Sequence, residues 1–408
     1  MDKGSAVNLG VVGLGMAGAG TVRLAKEHPL VKLTAAADPK PELLQSFRQD
    51  FEEAEAYEDV KALCQSSAVD VVYIATPHQF HLPHALMAMD NGKHVIVEKP
   101  MALTLAECDA MIEAASRNNV SLIVGRTASY SPAMLLMREI IVSGQLGRIG
   151  MIQMMAYTNF LYRPRRPEEL DTSQGGGIIF NQVPHQVDAA RFIGGGMVRS
   201  VRAGTGIWDK RRPTEGAYQA FLDFEGGATA SLTYSGYDHF STDELFYGLA
   251  SGGVGKPPED FGSSRRIIDK IQTQEEESAL RISAYGYGSS RGISGSSGNS
   301  PLPYFDETGI TIVSCEDGDI RASADGVVIY DINGKHEIPI PPKFGAPGRG
   351  DVLEEIHRVV RQGIPPIHDG AWAKATMEVA LGALESARNR SEILLSYQVP
   401  SRDDGLIF

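Results

Sequence analysis

The chain has 408 residues, of which 42% are hydrophobic and 22% are charged, a composition typical of a folded globular protein. Its 38 basic residues against 51 acidic ones give a net charge of −13, which repels phosphate backbones and argues against nucleic acid as a partner. The longest uncharged stretch, residues 71–89, contains two prolines and three histidines, and there are only three cysteines, so we expect neither a membrane span nor a disulfide framework but a cytoplasmic protein.

The first part of the chain, residues 1–127, alternates short apolar segments with helical ones. The predicted strands are residues 7–12, 31–37, 69–76, 94–97 and 121–125, and the predicted helices between them are residues 17–27, 41–51, 79–91 and 104–118. Strands that are apolar throughout are typical of a parallel sheet covered by helices on both faces. This part is therefore predicted to be an α/β domain with a doubly wound parallel sheet.

The remainder, residues 128–408, has a different pattern. Strands are predicted at residues 151–158, 199–208, 218–224 and 229–234, and Asp-Gly or Asn-Gly pairs at 317–318, 325–326 and 333–334 separate further short strands. These dipeptides favour tight hairpins because both residues accept positive φ. With helices predicted at 352–361 and 371–387, this part is expected to be an α+β domain with a large, mainly antiparallel sheet.

A stretch of about sixty residues, roughly 245–305, interrupts the second domain. Residues 286–301 contain eleven glycines and serines out of sixteen, a composition typical of flexible linkers. One charged segment within it, residues 265–280, is predicted to be helical. We expect a flexible insertion, which could serve as a substrate lid, a subunit arm or a passive loop.

A glycine-rich motif, Gly13-Leu14-Gly15-Met16-Ala17-Gly18, follows the first strand and opens the first helix. In a dinucleotide-binding turn the first glycine permits the tight bend, the second lets a pyrophosphate approach, and the third allows close packing of helix on strand. Asp38 ends the next strand and could accept hydrogen bonds from ribose hydroxyls. A carboxylate there would repel a 2′-phosphate, which favours NAD over NADP, although Lys40 lies nearby.

Two further clusters could carry chemistry. Glu98-Lys99-Pro100 follows the fourth strand, where ligands of open α/β sheets bind, so Lys99 could take part in acid–base catalysis or could be a surface lysine. Asn181, His185 and Asp188 have the spacing i, i+4 and i+7, which would place them on one face of a helix. His185 could take a proton from a carbinol with its ring oriented by a neighbour, or could be structural.

These clusters, in this order, resemble the Gfo/Idh/MocA oxidoreductase family over nearly the whole chain. The resemblance also includes Ala75-Thr76-Pro77, His81 and the helix near residues 376–388. It implies an N-terminal Rossmann domain, a C-terminal α/β domain, and a homo-oligomer, dimer or tetramer, formed through the second sheet. It further implies cofactor contacts at Thr76, Pro77, His81, Glu98 and Lys99.

The resemblance also assigns catalytic roles. It places Lys99 and His185 on either side of the nicotinamide and the reacting carbon. The family commonly has an aspartate four residues before that histidine, whereas this chain has Asn181, whose amide cannot hold a charge. Proton transfer is therefore assigned to His185 with Lys99, and Asn181 is expected to orient the ring or bind a substrate hydroxyl.

Within the family, residues 181–188, 212–218 and 234–240 look most like the dihydrodiol dehydrogenases of bacterial aromatic-acid breakdown, which act on phthalate and chlorinated carboxy cis-dihydrodiols. The substrate would then be a carboxylated cyclic diol, oxidised to a catechol with NAD, by chemistry on CH–OH or CH–CH donors. A sugar or inositol-like polyol dehydrogenase of the same family is the main alternative. A non-catalytic nucleotide-sensing regulator is a remote one.

Several charged side chains have a possible role in binding that substrate. Arg163 and Arg165 lie early in the second domain, and their guanidinium groups suit carboxylate recognition, as does that of Arg126. The alternative is that neighbouring glutamates satisfy these arginines. With Asn181, His185 and Asp188 they form the predicted substrate contacts, and no metal is expected at the His78, His81 and His84 repeat.

Overall fold

A computed structural model describes residues 6–125, 128–246, 248–249, 255, 257, 260–289, 308–341 and 349–403. The chain divides into two compact units. The first comprises Met1–Arg126, Ser278–Ser300 and Phe344–Lys374, and the second comprises Thr127–Glu277, Pro301–Lys343 and Ala375–Phe408. The first segment of this unit ends one residue before the end of the predicted N-terminal domain, residues 1–127. Residues 278–300 and 344–374 also belong to the first unit, whereas the predicted division into two consecutive domains assigned them to the second.

The first unit contains a parallel sheet of six strands in the order β3-β2-β1-β4-β5-β6. The strands are β1 (Val7–Val12), β2 (Val31–Ala37), β3 (Glu55–Tyr57), β4 (Val71–Ile74), β5 (His94–Val97) and β6 (Leu122–Val124). All five predicted strands are present, and the doubly wound sheet is confirmed. The additional edge strand β3 was not predicted, because its three residues form no apolar run and Glu55 is exposed.

Helices connect these strands. They are α1 (Met16–Ala25), α2 (Pro41–Asp50), α3 (Val60–Gln65), α4 (His81–Asp90) and α5 (Leu105–Arg117). The short α3 was not predicted either, although its start carries a signal: the Asp59 side chain accepts hydrogen bonds from the backbone N–H groups of Lys61 and Ala62.

The segment at residues 349–374 completes the first unit. It contains α11 (Arg349–Gln362), whose Arg361 forms an ion pair of 2.7 Å with Asp70. After this helix, the His368 carbonyl accepts a hydrogen bond of 2.9 Å from the Val124 N–H, next to an isolated bridge between Ile123 and Asp369. The outer strand β6 therefore gains partners from a segment more than 240 residues later in the chain.

The second unit contains a nine-stranded sheet in the order β14-β13-β12-β11-β7-β10-β9-β8-β15. The strands are β7 (Ile149–Tyr157), β8 (Val198–Gly206), β9 (Ala217–Phe224), β10 (Thr229–Ser235), β11 (Ile310–Cys315), β12 (Gly318–Ala322), β13 (Gly326–Asp331), β14 (Gly334–Pro339) and β15 (Ile393–Leu394). All neighbours pair antiparallel except β7 and β10, which are parallel. The predicted mainly antiparallel sheet is confirmed.

The second unit contains several helices, among them α6 (Pro132–Val142), α7 (Gly177–Asn181), α8 (Val183–Gly194) and α12 (Gly370–Asn389), the last beginning in the first unit. Of these, α6 contacts β12 and β13, and α8 contacts β7 and β10. Every residue of α8 from Val183 to Ile193 is buried. Gln186 fixes this helix to its surroundings, since its amide donates to the carbonyls of Thr233 and Thr308 and accepts a hydrogen bond of 2.6 Å from the Tyr218 hydroxyl.

The predicted insertion contains two helices in its described part, α9 (Ser263–Ile268) and α10 (Gln274–Tyr285), rather than one. The break has a local cause: the Thr273 hydroxyl accepts from the Glu276 N–H, and the Glu276 carboxylate accepts from the Gln272 N–H, which starts a new helix. Ile268 joins a buried cluster of the second unit. The glycine- and serine-rich residues 290–305, on which the prediction of flexibility mainly depended, lie outside the described residues.

Two buried arginines hold residues 398–403 against the rest of the second unit. Arg191 is fully buried and donates to the Thr376 hydroxyl at 2.8 Å and to the Gln398 side chain at 2.9 Å. Arg138 donates to Ser401 and forms an ion pair with Asp403, both at 2.8 Å. Across the described ranges, no helix is both long and apolar enough to cross a membrane.

Candidate active site

The glycine-rich turn between β1 and α1 requires glycine at two of its three glycine positions. Gly13 has φ of +91°, and a Cβ there would lie 2.8 Å from the Ala75 carbonyl oxygen. A Cβ on Gly18 would overlap the Gly13 carbonyl oxygen. A Cβ on Gly15, by contrast, would meet no atom within 4 Å. Other atoms of the protein therefore pack closely against Gly13 and Gly18 and leave open space beside Gly15.

The start of α1, with Met16 and Ala17 in its first turn, suits a phosphate group. Gly15 caps the helix without any side-chain hydrogen bond, and the first turn contains no acidic residue. The positive end of the helix dipole is therefore not offset by an acidic side chain in the first turn. Together with the open space at Gly15, this arrangement fits a pyrophosphate.

Asp38, at the end of β2, is buried and already holds the turn in place. One carboxylate oxygen accepts a hydrogen bond of 2.7 Å from the Leu14 N–H, and the other accepts one of 2.9 Å from the Lys40 N–H. Each carboxylate oxygen has a further lone pair, so the same group can accept hydrogen bonds from ribose hydroxyls. The residues of this turn thus fit a dinucleotide.

His81 links two loops at the carboxyl ends of neighbouring strands β4 and β5. It is fully buried, with Nδ1 2.8 Å from the Pro100 carbonyl oxygen and Nε2 3.0 Å from the Thr76 carbonyl oxygen. Burial lowers the pKa of His81 because it penalises the charged ring, although the two carbonyls oppose this shift. His81 therefore holds the Thr76-Pro77 loop beside the Glu98-Lys99-Pro100 loop.

Glu98 is buried at the end of β5 and accepts a hydrogen bond of 2.8 Å from the Tyr73 hydroxyl. The next residue, Lys99, is half-buried. Sequence reasoning missed Tyr73, although its place in the strand adjacent to β5 could have indicated it. The predicted cofactor residues of the first unit thus lie together at the carboxyl ends of β1, β2, β4 and β5.

The second unit carries the predicted cluster of Asn181, His185 and Asp188, but on two helices rather than one. Asn181 ends α7, and His185 and Asp188 lie on α8. The cause is Pro184, which has no N–H to donate to the carbonyl four residues earlier and whose ring crowds that carbonyl. His185 and Asp188, three residues apart, still share one side of a helix.

All three side chains of this cluster are buried. The Asn181 amide donates a hydrogen bond of 2.8 Å to the Gly177 carbonyl, which fixes its orientation. The Asp188 carboxylate accepts hydrogen bonds from the Ser129 hydroxyl and from the Ser129 N–H. The sequence does not indicate Ser129, because no pattern around it predicts a hydrogen bond to Asp188, which lies 59 residues later.

The predicted substrate arginines differ in their surroundings. Arg165 is buried, with its guanidinium carbon 3.7 Å from the centre of the Phe160 ring, and it donates to the Phe160 carbonyl from two nitrogens. Its backbone N–H donates to Glu277, which also forms an ion pair of 2.8 Å with Arg212. Arg163 is half-buried and donates to Asn159.

Arg126 lies outside the described residues. The Arg165 guanidinium is thus occupied within the protein, and Arg163 is the less committed of the two described arginines. Among the residues that the structure describes, no group of three or more histidine, cysteine, aspartate or glutamate side chains could hold a metal ion.

Comparisons with known proteins identify the family of this chain. Residues 7–126 match a family described as "Oxidoreductase family, NAD-binding Rossmann fold", and residues 134–247 match the "GFO/IDH/MocA C-terminal domain". The chain is 38% identical over 386 residues to the 1-carboxy-3-chloro-3,4-dihydroxycyclohexa-1,5-diene dehydrogenase of Comamonas testosteroni, covering 94% of this chain and 95% of that protein.

Two other proteins show how far the similarity extends. A crystal structure described as a "putative dehydrogenase from Bordetella bronchiseptica RB50" superimposes with a TM-score of 0.89 at 40% identity, covering 95% of this chain and all of that one. The myo-inositol 2-dehydrogenase of Thermotoga maritima is 27% identical over 198 residues, covering 48% of this chain and 58% of that protein. The chain therefore belongs to the Gfo/Idh/MocA family of oxidoreductases, and residues 7–126 are that family's NAD-binding Rossmann domain.

Proposed function

We propose that this oxidoreductase is an NAD-dependent dehydrogenase that oxidises a carboxylated cyclic cis-dihydrodiol to the corresponding catechol. The observation that carries this proposal is the similarity, over nearly the full length of both chains, to a dehydrogenase of a carboxylated, chlorinated cyclohexadiene diol. Phthalate and benzoate cis-dihydrodiols have the same combination of ring, diol and carboxylate. The protein would then act in aromatic-compound catabolism, with phthalate breakdown as one setting.

In this proposal His185 removes the proton of the reacting hydroxyl, and Lys99 donates a hydrogen bond to the oxygen as negative charge develops on it. Asn181 orients the substrate or the histidine ring. NAD, held by the first unit, would supply the hydride acceptor. The ketone formed from the reacting carbinol would tautomerise to a catechol, so each turnover would convert one diol and one NAD⁺ into one catechol, one NADH and one proton, and aromaticity would drive the reaction forward.

The substrate carboxylate requires positive charge in an acidic protein. Arg163 is the principal candidate because it is half-buried and its described hydrogen bond uses only its Nε. Arg126 and Arg165 remain candidates, although the Arg165 guanidinium already has internal partners. Asp188 is proposed to contact a substrate hydroxyl alongside Asn181 and His185.

The proposed cofactor contacts follow from the first unit. Gly13, Gly15, Met16, Ala17 and Gly18 would surround the pyrophosphate, and Asp38 would accept the ribose hydroxyls, which favours NAD over NADP. The loops after β4 and β5 would contact the nicotinamide half through a second group of residues: Thr76, Pro77, His81, Glu98 and Lys99.

The test is a spectrophotometric assay at 340 nm with purified protein, NAD or NADP, and a panel of diols. We expect turnover with carboxylated cis-dihydrodiols and a preference for NAD. Matched cis-dihydrodiols that lack the carboxylate should give a KM at least about tenfold higher, since the charged hydrogen bond is lost. No NADH formation with any carboxylated dihydrodiol would reject the substrate class.

A polyol or sugar dehydrogenase is the second candidate, supported by the similarity to a myo-inositol dehydrogenase. Such an enzyme would reduce NAD with inositol or an aldose, and its KM would not respond to loss of Arg163. Binding of NADH without turnover of any diol or polyol would instead indicate a nucleotide-sensing regulator.

We further propose a cytoplasmic location and a homo-oligomer. All three cysteines are free thiols, and Cys64 and Cys108 are buried. One face of the nine-stranded sheet exposes apolar side chains, among them Met151, Phe221 and Ile312, which suits contact with a second copy of the chain.

A further inference from the structure

The segment that follows α10 lies directly on the dinucleotide-binding turn. The Tyr287 N–H donates a hydrogen bond of 3.1 Å to the Leu14 carbonyl, in the middle of the glycine-rich motif. Leu14 is therefore held on both sides, because its own N–H donates to Asp38. Both Tyr287 and Leu14 are buried, and both belong to the first unit.

Tyr287 is anchored there by its side chain. The hydroxyl donates a hydrogen bond of 2.6 Å to Asp50, at the end of α2, and the ring packs edge-on against Phe47, with centroids 6.3 Å apart. The Arg23 guanidinium, from α1, lies 5.9 Å from the ring centre. The side chain thus joins the two helices that follow β1 and β2, the strands that carry the motif and Asp38.

The glycine after Tyr287 makes this approach possible. Gly288 has φ of +80°, and a Cβ there would lie 2.7 Å from the Ser46 hydroxyl oxygen on α2. A larger residue would be strained and would push the segment away from the helix. The backbone of residues 286–289 therefore packs closely against α2.

We propose that Tyr287 is a positioning residue for the cofactor. It fixes the Leu14 carbonyl and, through it, the N–H groups at the start of α1. The affinity for NAD then depends on a segment that lies more than 260 residues after the motif in the chain. Leu14 immediately precedes Gly15, whose open side is where the pyrophosphate would lie. A fixed turn presents its N–H groups without an ordering step on binding. Tyr287 itself does not need to touch the cofactor.

The first experiment measures NADH binding to the purified full chain by fluorescence titration, without a second substrate. Tyr287→Ala is expected to raise the Kd about tenfold, and Tyr287→Phe, which loses only the hydroxyl bond to Asp50, about threefold. In turnover assays, the KM for NAD should rise while kcat is retained. Phe51→Ala is the matched control, since Phe51 also stacks on Phe47, with centroids 5.0 Å apart, but has no contact with Leu14 among those described; its Kd should stay within about twofold of wild type.

The second experiment needs no variant. Because coupling between two sites is reciprocal, NADH should slow hydrogen–deuterium exchange in a peptide covering residues 282–289 of the wild-type protein. The proposal is overturned if exchange there is unchanged by saturating NADH, if folded Tyr287→Ala binds NADH as tightly as Phe51→Ala, or if the wild type binds no NADH. Failure of the dihydrodiol assay alone would leave these results intact.

Discussion

At the scale of single residues, several buried polar side chains near the proposed catalytic residues complete the fold through hydrogen bonds. Glu98 and Asp188 have hydroxyl partners in Tyr73 and Ser129. His81 bridges two carbonyls in a buried position. These groups shape the surroundings of Lys99 and His185, to which we assign the proton transfer. Sequence position predicted Lys99 and His185, but it could not reveal hydrogen-bond partners far away in the chain.

The assigned roles predict the effect of two substitutions. Lys99→Ala and His185→Ala should each lower kcat by about 10²-fold or more, because a positioned acid–base group is lost in the transition state. The Kd for NADH of His185→Ala should change less than about twofold, since His185 is not among the proposed cofactor contacts. Stopped-flow and steady-state assays measure both quantities. Lys32→Ala, an exposed lysine on β2, serves as the control, and retention of most activity in Lys99→Ala would contradict the mechanism.

The two described arginines should respond differently to the same change. Arg163→Ala should raise KM for a carboxylated diol about tenfold with little effect on stability. Arg165→Ala should instead lower the free energy of unfolding by about 2–4 kcal/mol, since it removes a buried guanidinium from the Phe160 ring and carbonyl. Urea denaturation together with KM measurements separates the two effects. A tenfold KM effect for Arg165→Ala with unchanged stability would reverse this assignment.

At the scale of elements, apolar runs and glycine motifs predicted most of the first sheet, because buried parallel strands consist almost entirely of apolar residues. The edge strand β3 and the short helix α3 carry no such run. The break between α7 and α8 depends on Pro184, and the break between α9 and α10 on the cap at Thr273. Both signals are local: a single proline and a single capping threonine divide segments whose composition and spacing otherwise predict one continuous helix.

The glycine-rich turn permits a prediction that separates binding from folding. Gly15→Ala should fold normally, with a melting temperature within about 2 °C of wild type, because its Cβ meets no atom. It should nevertheless raise the Kd for NADH about tenfold or more, since the methyl group enters the space that the pyrophosphate needs. Gly18→Ala should lower the melting temperature as well, because its Cβ overlaps the Gly13 carbonyl. Equal NADH affinity in Gly15→Ala and wild type would place the pyrophosphate elsewhere.

At the scale of the whole molecule, the exposed face of the nine-stranded sheet is the surface that we propose contacts a second copy of the chain. Phe221 and Ile312 are 49% and 38% exposed, and they lie in one row across the sheet, joined through Ser231 and Gln153. Side chains in one row across a sheet point to the same face. The face is therefore broad and partly apolar across its central strands.

Charge on this face should disrupt an oligomer built through it. Phe221→Asp and Ile312→Asp should shift the mass measured by light scattering toward the monomer, because a two-fold interface places each new charge near its symmetric copy. Ile332→Asp, in the turn between β13 and β14 and 95% exposed, should leave the mass unchanged. A monomeric wild type, or a Phe221→Asp variant of unchanged mass, would contradict the proposed interface.

The return of residues 344–374 to the first unit has a consequence for how the protein is made. A ribosome completes the six strands of that unit within the first 124 residues, but the partners of β6 and of Asp70 are synthesised about 230–250 residues later. At typical elongation rates this delay is roughly 10–50 s. Contacts of the second unit are delayed in the same way, because Arg138 donates a hydrogen bond to Ser401 and Arg191 donates one to Gln398. Neither unit can form these contacts until residues 361–403 have been synthesised, so nascent chains would spend this interval incomplete and exposed to chaperones and proteases.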